Sequence, residues 1–283
     1  MKEIILYWSY LVFPFIAFLI FYKKLHKIAR IIFILFSILF IYSRFIEPQL
    51  ITVNTTEINV WFESKIVLIA DTHLWVYKGK AFLKRVVEKI NNIPDVDYVF
   101  IAWDLTWNPE IKDLWKIFKP LQNLNKPTYW VLWNHDVERP GPKLRWELKD
   151  ILDSYWLHYL NNNVVELENF TLLWLGSNWN NEDDVSLLNN YKESDNILVL
   201  AHNPDTTSKY TNKNADLTLA WHTHGWQLRI PVLYKSVIPT KWDFDKWFSQ
   251  EENTQLFISP WLWETAIPMR LFNPPVIDIL ELK

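Results

Sequence analysis

The feature that most constrains the fold of this 283-residue chain is a series of short apolar runs that each end in Asp, Asn or His. Five such runs lie between residues 65 and 224, namely KIVLIAD, DYVFIAWD, TYWVLWNHD, NILVLAHNP and ADLTLAWHTH. Runs rich in Val, Ile and Leu are typical of buried β-strands, and residues 80–93 between the first two show helical spacing of apolar positions. In open α/β sheets, ligand sites gather beyond the carboxyl ends of the strands. The pattern therefore predicts an α/β fold with a polar site where these strands end.

Five of the seven histidines lie at these strand ends, four within the quoted runs and His73 two residues after the first run. A single Asp-x-His pair or a lone His at a strand end is more often a turn or capping residue than a metal ligand, but the motifs together favour a metal site. Imidazole and oxygen donors without any cysteine suit Mn, Fe, Zn or similar divalent ions. A single-metal oxygenase would use two His and one carboxylate and leave most of the set unused. Two ions that share a carboxylate are therefore expected, with the candidate ligands Asp71, His73, Asp104, Asn134, His202, His222 and His224.

The order of these motifs resembles that of the calcineurin-like metallophosphoesterase superfamily. The chain has DTH (71–73), WD (103–104), WNHD (133–136), HNP (202–204) and WHTHGWQ (221–227), where the family has D-x-H, G-D, G-N-H-D/E, H and G-H-T-H-G-G. Residues 259–280 are similar to the closing GLG…P-x-R…PPEI segment of the family. The resemblance runs from about Ile66 to the C-terminus and is closest to bacterial members that carry an N-terminal membrane segment.

The resemblance implies a four-layer α/β/β/α sandwich and a metal-dependent phosphoesterase. Such an enzyme hydrolyses phosphomonoesters or phosphodiesters through attack by a hydroxide that bridges two divalent metal ions. It implies that His135 protonates the leaving oxygen and that Asp136 orients His135. The implied metal ligands are Asp71, His73 and His224 for the first ion, Asn134, His202 and His222 for the second, and Asp104 as the bridge.

The chain departs from the family in one way, because tryptophan stands where the family has glycine. It has 4 Gly and 18 Trp, and the two counts together match the share of roughly 7% that glycine alone has in an average protein. Translation of UGA as Trp, in a gene whose host reads UGA as Gly, and deliberate substitution both explain the pattern. The motif positions are Trp75, Trp103, Trp133, Trp221, Trp226, Trp261 and Trp263, with Trp130, Trp156, Trp174 and Trp247 as further candidates.

Glycine lets a chain turn sharply and approach a ligand closely, so an indole at Trp133 or Trp221 is expected to clash in the turn and exclude substrate. If the tryptophans are literal, the alternative is a catalytically impaired or non-catalytic, membrane-tethered relative.

The N-terminus carries two apolar runs with a basic hinge between them. Residues 4–22 form an uncharged run long enough to span a bilayer, residues 23–30 contain four Lys or Arg, and residues 31–42 form a shorter run. A signal peptide followed by a core helix would have a similar pattern, but no small-residue cleavage site follows the first run. A transmembrane helical hairpin over residues 1–48 is therefore expected, with the second run short enough to be tilted or interfacial.

The basic hinge favours the cytoplasm, which predicts that the phosphoesterase domain (49–283) lies on the extracytoplasmic face of the cell membrane. The net charge of -3 does not favour nucleic acid as a partner. The expected partners are the membrane and a phosphate-ester substrate, for which lipid-linked phosphates are candidates.

Overall fold

The computed structural model describes residues 7–22, 25–70, 78–102, 113–132, 143–160, 163–176, 183–192, 194–210, 215–221, 227–229, 247–251, 254–260, 262, 264 and 267–283. Within these ranges the chain forms two six-stranded β-sheets and five α-helices. The helices are α1 (Val12–Phe21), α2 (Lys27–Ile41), α3 (Lys80–Asn91), α4 (Leu114–Phe118) and α5 (Arg145–Asp153).

The first sheet has the strand order β1-β12-β2-β3-β4-β5. Its strands are β1 (Thr52–Ile58), β2 (Ser64–Ala70), β3 (Tyr98–Ala102), β4 (Thr128–Val131), β5 (His158–Tyr159) and β12 (Val276–Leu282). Strands β2 to β5 run parallel, whereas β12 runs antiparallel to β2 and parallel to β1. Strand β1 therefore begins at the edge of the sheet where β2, β3 and β4 end.

The second sheet has the order β10-β11-β9-β8-β7-β6. Its strands are β6 (Val164–Glu166), β7 (Thr171–Trp174), β8 (Ile197–Leu200), β9 (Leu217–Ala220), β10 (Trp247–Glu251) and β11 (Thr254–Ile258). The four inner strands run parallel, and β6 and β10 pair antiparallel at the two sides. Both sheets are thus mixed.

The apolar runs form strands because both faces of them are buried. In β2, Ile66 and Leu68 belong to the core between the two sheets, while Val67 and Ile69 pack against the helices α3, α4 and α5 on the outer face of the first sheet. All four side chains are fully buried, which explains a continuous apolar run instead of an alternating one. The outer face of the second sheet packs against short 3-10 turns that contribute Leu188 and Tyr210. The predicted α/β fold with two mixed sheets and helices is confirmed, whereas the fourth, helical layer of the predicted α/β/β/α sandwich consists of 3-10 turns in the part of the chain that the structure describes.

The N-terminal region differs from the prediction in the lengths of its helices. Helix α2 continues through a π-helical turn and a 3-10 turn, so that one apolar helix of 23 residues, the long helix, runs from Lys27 to Gln49. Among the described residues, the first apolar run forms a shorter apolar helix, Ser9–Phe21. These 13 residues extend about 20 Å, against a hydrocarbon core of about 30 Å. One helix long enough to cross a bilayer is present among the described residues, and a hairpin of two spanning helices is not shown.

The long helix extends past Tyr42, where the second apolar run ends, and includes the charged residue Arg44. Arg44 is buried, its Nε donates to Ser9 Oγ at 3.0 Å, and its guanidinium lies 4.7 Å from the centre of the Phe45 ring. The two apolar helices also touch through Phe15 and Phe33, whose ring centres are 6.2 Å apart. A single arginine with these partners is compatible with an apolar helix surface.

Candidate metal centre

The first group of predicted ligands follows three neighbouring strands. Ala70 of β2 is in register with Ala102 of β3, which is in register with Val131 of β4. Neighbouring strands lie about 4.8 Å apart, so these three strand ends form one short row. The predicted site residues that follow them lie outside the described residues, namely Asp71, His73, Asp104, Asn134, His135 and Asp136.

The second group follows strands β8 and β9 of the other sheet. His202 lies two residues beyond β8 and is 2% exposed. The backbone N–H of Trp221, directly after β9, donates to the carbonyl oxygen of His202 at 3.1 Å. This bond places the backbone of His202 beside Trp221, the first residue of the WHTHGW motif. His222 and His224 themselves lie outside the described residues.

One chain segment joins the two rows of strand ends. The N–H of Ser259 donates to the carbonyl of Ala220 at the end of β9 (2.9 Å), and the N–H of Leu262 donates to the carbonyl of Ala70 at the end of β2 (3.2 Å). Three residues span at most about 11 Å, so this crossing holds the ends of β9 and β2 near each other. Ser259 Oγ also donates to Asp278 Oδ2 of β12 at 2.6 Å, in a buried contact between the sheets. The edge where these strands end is called the carboxyl edge below.

In the HNP motif Asn203 caps the turn, since its side-chain oxygen accepts from the N–H of Asp205 at 2.9 Å. The His202 ring instead meets the Trp221 ring edge-on, with 5.5 Å between ring centres. The position of His202 at the carboxyl edge agrees with its predicted role as a ligand. Among the described residues no group of three His, Asp or Glu side chains could hold a metal ion.

Trp221 corrects one expectation about the glycine-like positions. Among the described non-glycine residues, φ is positive at Asp95, Trp156 and Phe272, and Trp221 is not one of them. Its indole is fully buried in the core between the sheets and stacks on Trp174, with ring centres 6.0 Å apart. The expected clash in a strained turn is therefore wrong for Trp221. Its cost lies instead in the buried Nε1, which has no hydrogen-bond partner.

Trp156 fits the glycine hypothesis better. It follows helix α5 with φ of 63°, its side chain is 89% exposed, and its N–H donates to the carbonyl of Asp153 at 3.0 Å. A left-handed residue directly after a helix is usually glycine. Trp130, by contrast, is a fully buried residue of β4 whose Nε1 donates to the carbonyl of Leu157 at 3.2 Å. No feature of its strand position calls for glycine.

A buried charge cluster beside the carboxyl edge was not predicted from the sequence. Lys78 Nζ donates to Glu264 Oε1 at 2.7 Å and to the carbonyl of Leu262 at 2.9 Å, and Arg270 Nε donates to the same Glu264 oxygen at 2.9 Å. Burial, partly offset by the Glu264 carboxylate, lowers the pKa of Lys78 to about 7. Arg270 matches the P-x-R position of the closing segment, but nothing local in the sequence pairs it with a lysine so far away in the chain. The cluster holds the segment after Leu262 against the start of α3.

Comparison with known proteins shows the family of this chain. The family model for calcineurin-like phosphoesterases matches residues 64–258, which include all five strand-end motifs. The chain belongs to the calcineurin-like phosphoesterase family. The predicted family is thus confirmed, whereas the role of each predicted site residue in this phosphoesterase stays a prediction.

Several curated relatives are similar to this chain over most of its length. The uncharacterized metallophosphoesterase YkuE of Bacillus subtilis is 26% identical over 86% of this chain and 89% of its own. The transmembrane protein with metallophosphoesterase domain of Danio rerio is 27% identical over 77% of this chain, which spans about half (53%) of the zebrafish protein. Phosphodiesterase YaeI of Escherichia coli is 28% identical over 62% of this chain and 66% of its own.

Proposed function

We propose that this calcineurin-like phosphoesterase is a membrane-anchored hydrolase of phosphate esters that uses two divalent metal ions. The main support is the carboxyl edge, where the ends of β2, β3, β4, β8 and β9 meet and the crossing from Ser259 to Leu262 joins the two sheets. Every predicted ligand follows one of these strand ends within a few residues. A site assembled from five strands in two sheets agrees with two ions better than with one.

The donor set fits divalent ions of the Mn, Fe or Zn class. It comprises four imidazoles, two carboxylates and one amide, and His202 is buried at the expected place. When bound, the ions would lower the pKa of a water molecule and neutralise charge on the phosphate ester. Asp104 would hold both ions, and the backbone bond from Trp221 to His202 would keep the His202 and His222 ligands in a fixed relation.

The remaining catalytic roles are assigned to the WNHD motif. His135 would donate a proton to the leaving oxygen, and Asp136 would accept from His135 and hold its ring in position. Both residues follow β4, the third strand of the row, so they would face a phosphate placed at the carboxyl edge. Proton donation by a histidine of ordinary pKa requires no unusual environment.

Membrane anchoring is proposed from the long helix. The most apolar 18-residue window of this 23-residue helix has a mean hydropathy of 2.0, and large apolar side chains such as Ile32, Leu35 and Phe36 are exposed on it. The zebrafish relative is named as a transmembrane protein. The anchor would comprise residues 1–48 and the phosphoesterase domain residues 49–283, outside the cytoplasm. Protease added to intact cells is then expected to cleave the domain after Pro48, and full protection would reverse the orientation.

The test of phosphoesterase activity compares two histidine variants of the full chain. The purified protein, supplied with Mn²⁺, is assayed with bis(p-nitrophenyl) phosphate and p-nitrophenyl phosphate. His202→Ala is expected to lower turnover by 100-fold or more, on the order of what loss of a transition-state contact costs. His158→Ala, an exposed histidine of β5, is the matched control and should keep wild-type activity.

The same assay is made on one double variant, Trp133→Gly with Trp221→Gly, called the glycine variant. It separates an active phosphoesterase from a catalytically impaired relative. Activity that appears only in the glycine variant would support the alternative, a chain impaired by literal tryptophans. If neither wild type nor the glycine variant hydrolyses either ester, or if wild type is active and His202→Ala is equally active, the proposed function is overturned.

A further inference from the structure

The long helix enters the phosphoesterase domain at the carboxyl edge. Thr52 at the start of β1 is in register with Val276, and Asp278 of the same β12 strand is in register with Leu68 near the end of β2. Gln49 ends the helix, and only Leu50 and Ile51 separate it from β1. Because β12 lies between β1 and β2, the helix leaves the domain about 10 Å to the side of the β2 end.

The end of the long helix is docked on the domain and is not a free tether. The N–H of Arg270 donates to the carbonyl of Ser43 at 2.8 Å, and the N–H of Asn273 donates to Glu47 Oε1 at 2.6 Å. Glu47 is 1% exposed. Two successive turns of the helix are thus bound by one segment of the domain, residues 270–273.

Helix α3 fixes the helix end from a second side. Arg85 donates from Nη1 to the Gln49 carbonyl at 3.1 Å and from Nη2 to Gln49 Oε1 at 2.5 Å. Contacts from two separate parts of the domain define the direction of the helix relative to the sheets. The domain is therefore expected to keep one orientation toward the bilayer.

The docking segment is also bonded to the chain next to the predicted ligands. The N–H of Leu271 donates to the carbonyl of Gln227 at 2.8 Å, and Gln227 directly follows the WHTHGW motif. Arg270, in the same segment, reaches Lys78 through Glu264. The helix end and the candidate metal centre therefore share their supporting residues.

Three exposed apolar side chains, called the rim below, lie at the helix end beside the polar Gln49 and Arg85. Ile46 and Leu50 on the helix side and Phe272 on the domain side are 46%, 45% and 62% exposed. Phe272 has φ of 59°, a conformation that is unfavourable for an aromatic residue and that holds its ring outward between the two docking contacts. Exposed aromatic and aliphatic side chains beside a spanning helix are typical of the lipid interface.

The length of the long helix leaves no room for a gap between domain and bilayer. Its 23 residues extend about 35 Å, against a hydrocarbon core of about 30 Å and a headgroup layer of about 5–8 Å on each side. If Lys27 and Arg30 lie at one boundary, Glu47 and Gln49 lie in the headgroup layer at the other. The carboxyl edge, which begins at the next strand, then borders that layer.

We propose that the active-site edge faces the bilayer surface and that the substrates are phosphate esters carried by membrane lipids, hydrolysed within the headgroup layer. This inference rests on the proposed function for its chemistry and on the docking of the long helix for its orientation. The lipid bilayer itself is the partner that covers the rim formed by Ile46, Leu50 and Phe272.

The orientation is tested without using activity. The chain contains no cysteine, so single cysteines can be introduced and labelled. Phe272→Cys reports on the rim, and Trp61→Cys, 84% exposed and beyond the far end of β1, is the matched control. Each labelled full-length protein is reconstituted in phosphatidylcholine vesicles that contain a headgroup nitroxide lipid. At least three-fold stronger quenching of the label at position 272 is expected, and equal quenching at the two positions would overturn the proposal.

The substrate class is tested with the same vesicles. Hydrolysis of phosphatidic acid and of phosphatidylglycerol is compared with that of soluble bis(p-nitrophenyl) phosphate. An uncoupled variant combines Glu47→Ala with a 20-residue Gly-Ser linker after Gln49, which allows the domain to move by about 25 Å. It is expected to lose ten-fold or more of its activity on vesicle lipid while its activity on the soluble diester stays within two-fold. Glu57→Ala, an exposed carboxylate of β1, is the control.

The two proposals fail in different ways. If wild type hydrolyses the soluble diester but neither vesicle lipid, or if uncoupling leaves lipid hydrolysis unchanged, the lipid inference is wrong and the phosphoesterase assignment stands. If wild type hydrolyses no ester at all, the proposed function fails, and the quenching experiment still decides the orientation. Loss of both activities on uncoupling would show that the helix supports the site as such and would overturn a role specific to lipid.

Discussion

Position 156 offers a direct test of whether a tryptophan stands at a place that requires glycine. Trp156 has φ of 63° and is 89% exposed, so its conformation is strained and its indole makes little contact. A Cβ in the left-handed region costs about 1–2 kcal/mol. Glycine loses about 0.5–1 kcal/mol more than alanine through its greater freedom in the unfolded chain. Trp156→Gly is therefore expected to be more stable than Trp156→Ala by about 0.5–1 kcal/mol.

Comparing glycine with alanine at one position removes the contribution of the lost indole, which both variants share. Trp61 is the matched control because it is 84% exposed and its φ is not positive. There the order should reverse, with alanine more stable by about 0.5–1 kcal/mol. The apparent Tm at a fixed scan rate measures both pairs, at about 2–4 °C per kcal/mol for a domain of this size. The same order at both positions would refute the strain at Trp156.

Three further predictions concern the site and its supports. His202→Ala should reduce bound divalent metal, measured by elemental analysis, from two ions per chain to one or none, whereas His158→Ala should leave it unchanged. The pKa of Lys78 is lowered to about 7 in the folded protein, so between pH 7 and about 10.5 the unfolded chain binds more protons than the folded protein. The free energy of unfolding should therefore rise with pH in that window. Lys78→Met should flatten this rise in Tm, and Lys149→Met, on the exposed side of α5, should not. Ser259→Ala should destabilise the protein by about 1–3 kcal/mol in denaturant unfolding, because the buried Asp278 carboxylate loses a donor.

The strands could be predicted because their sequence and their environment agree. β2 and β3 are buried on both faces, so every position from Ile66 to Ala70 and from Val99 to Ala102 is apolar, and an Asp one or two positions later marks the strand end. The N-terminal helices could not be assigned correctly in the same way. Arg44 reads as the end of an apolar run, and only the bond from its Nε to Ser9 Oγ explains why the helix continues.

The position of His202 could be predicted for a related reason, although its role as a ligand stays a prediction. The sheet topology brings the ends of parallel strands to one edge, so a residue that follows a strand can be placed at that edge from the sequence. The cluster of Lys78, Glu264 and Arg270 could not be predicted, since Lys78 and Glu264 lie 186 positions apart and no spacing in the sequence reveals their contact. Only the fold determines which distant segments of the chain meet, so a buried ion pair of this kind has no local sequence signal.

Trp221 remains the position where the sequence and the structure lead to opposite expectations. From the family pattern, glycine at Trp221 and at Trp103, Trp133 and Trp226 should raise both stability and metal content, but the last three positions lie outside the described residues. The buried indole of Trp221 stacks on Trp174, so Trp221→Gly alone removes core packing worth about 3–5 kcal/mol.

Relief of the unpaired Nε1 returns only about 1–3 kcal/mol, so the net effect of Trp221→Gly is a loss of about 2 kcal/mol and a Tm lower by about 4–8 °C. The measurements are Tm and metal content on the same preparations, with Trp156→Gly as the comparison. A fall in Tm with a gain in bound metal would mean that the indole stabilises the core while it obstructs the carboxyl edge. A rise in Tm would contradict the packing argument, since it would show that the chain is more stable with glycine directly before His222.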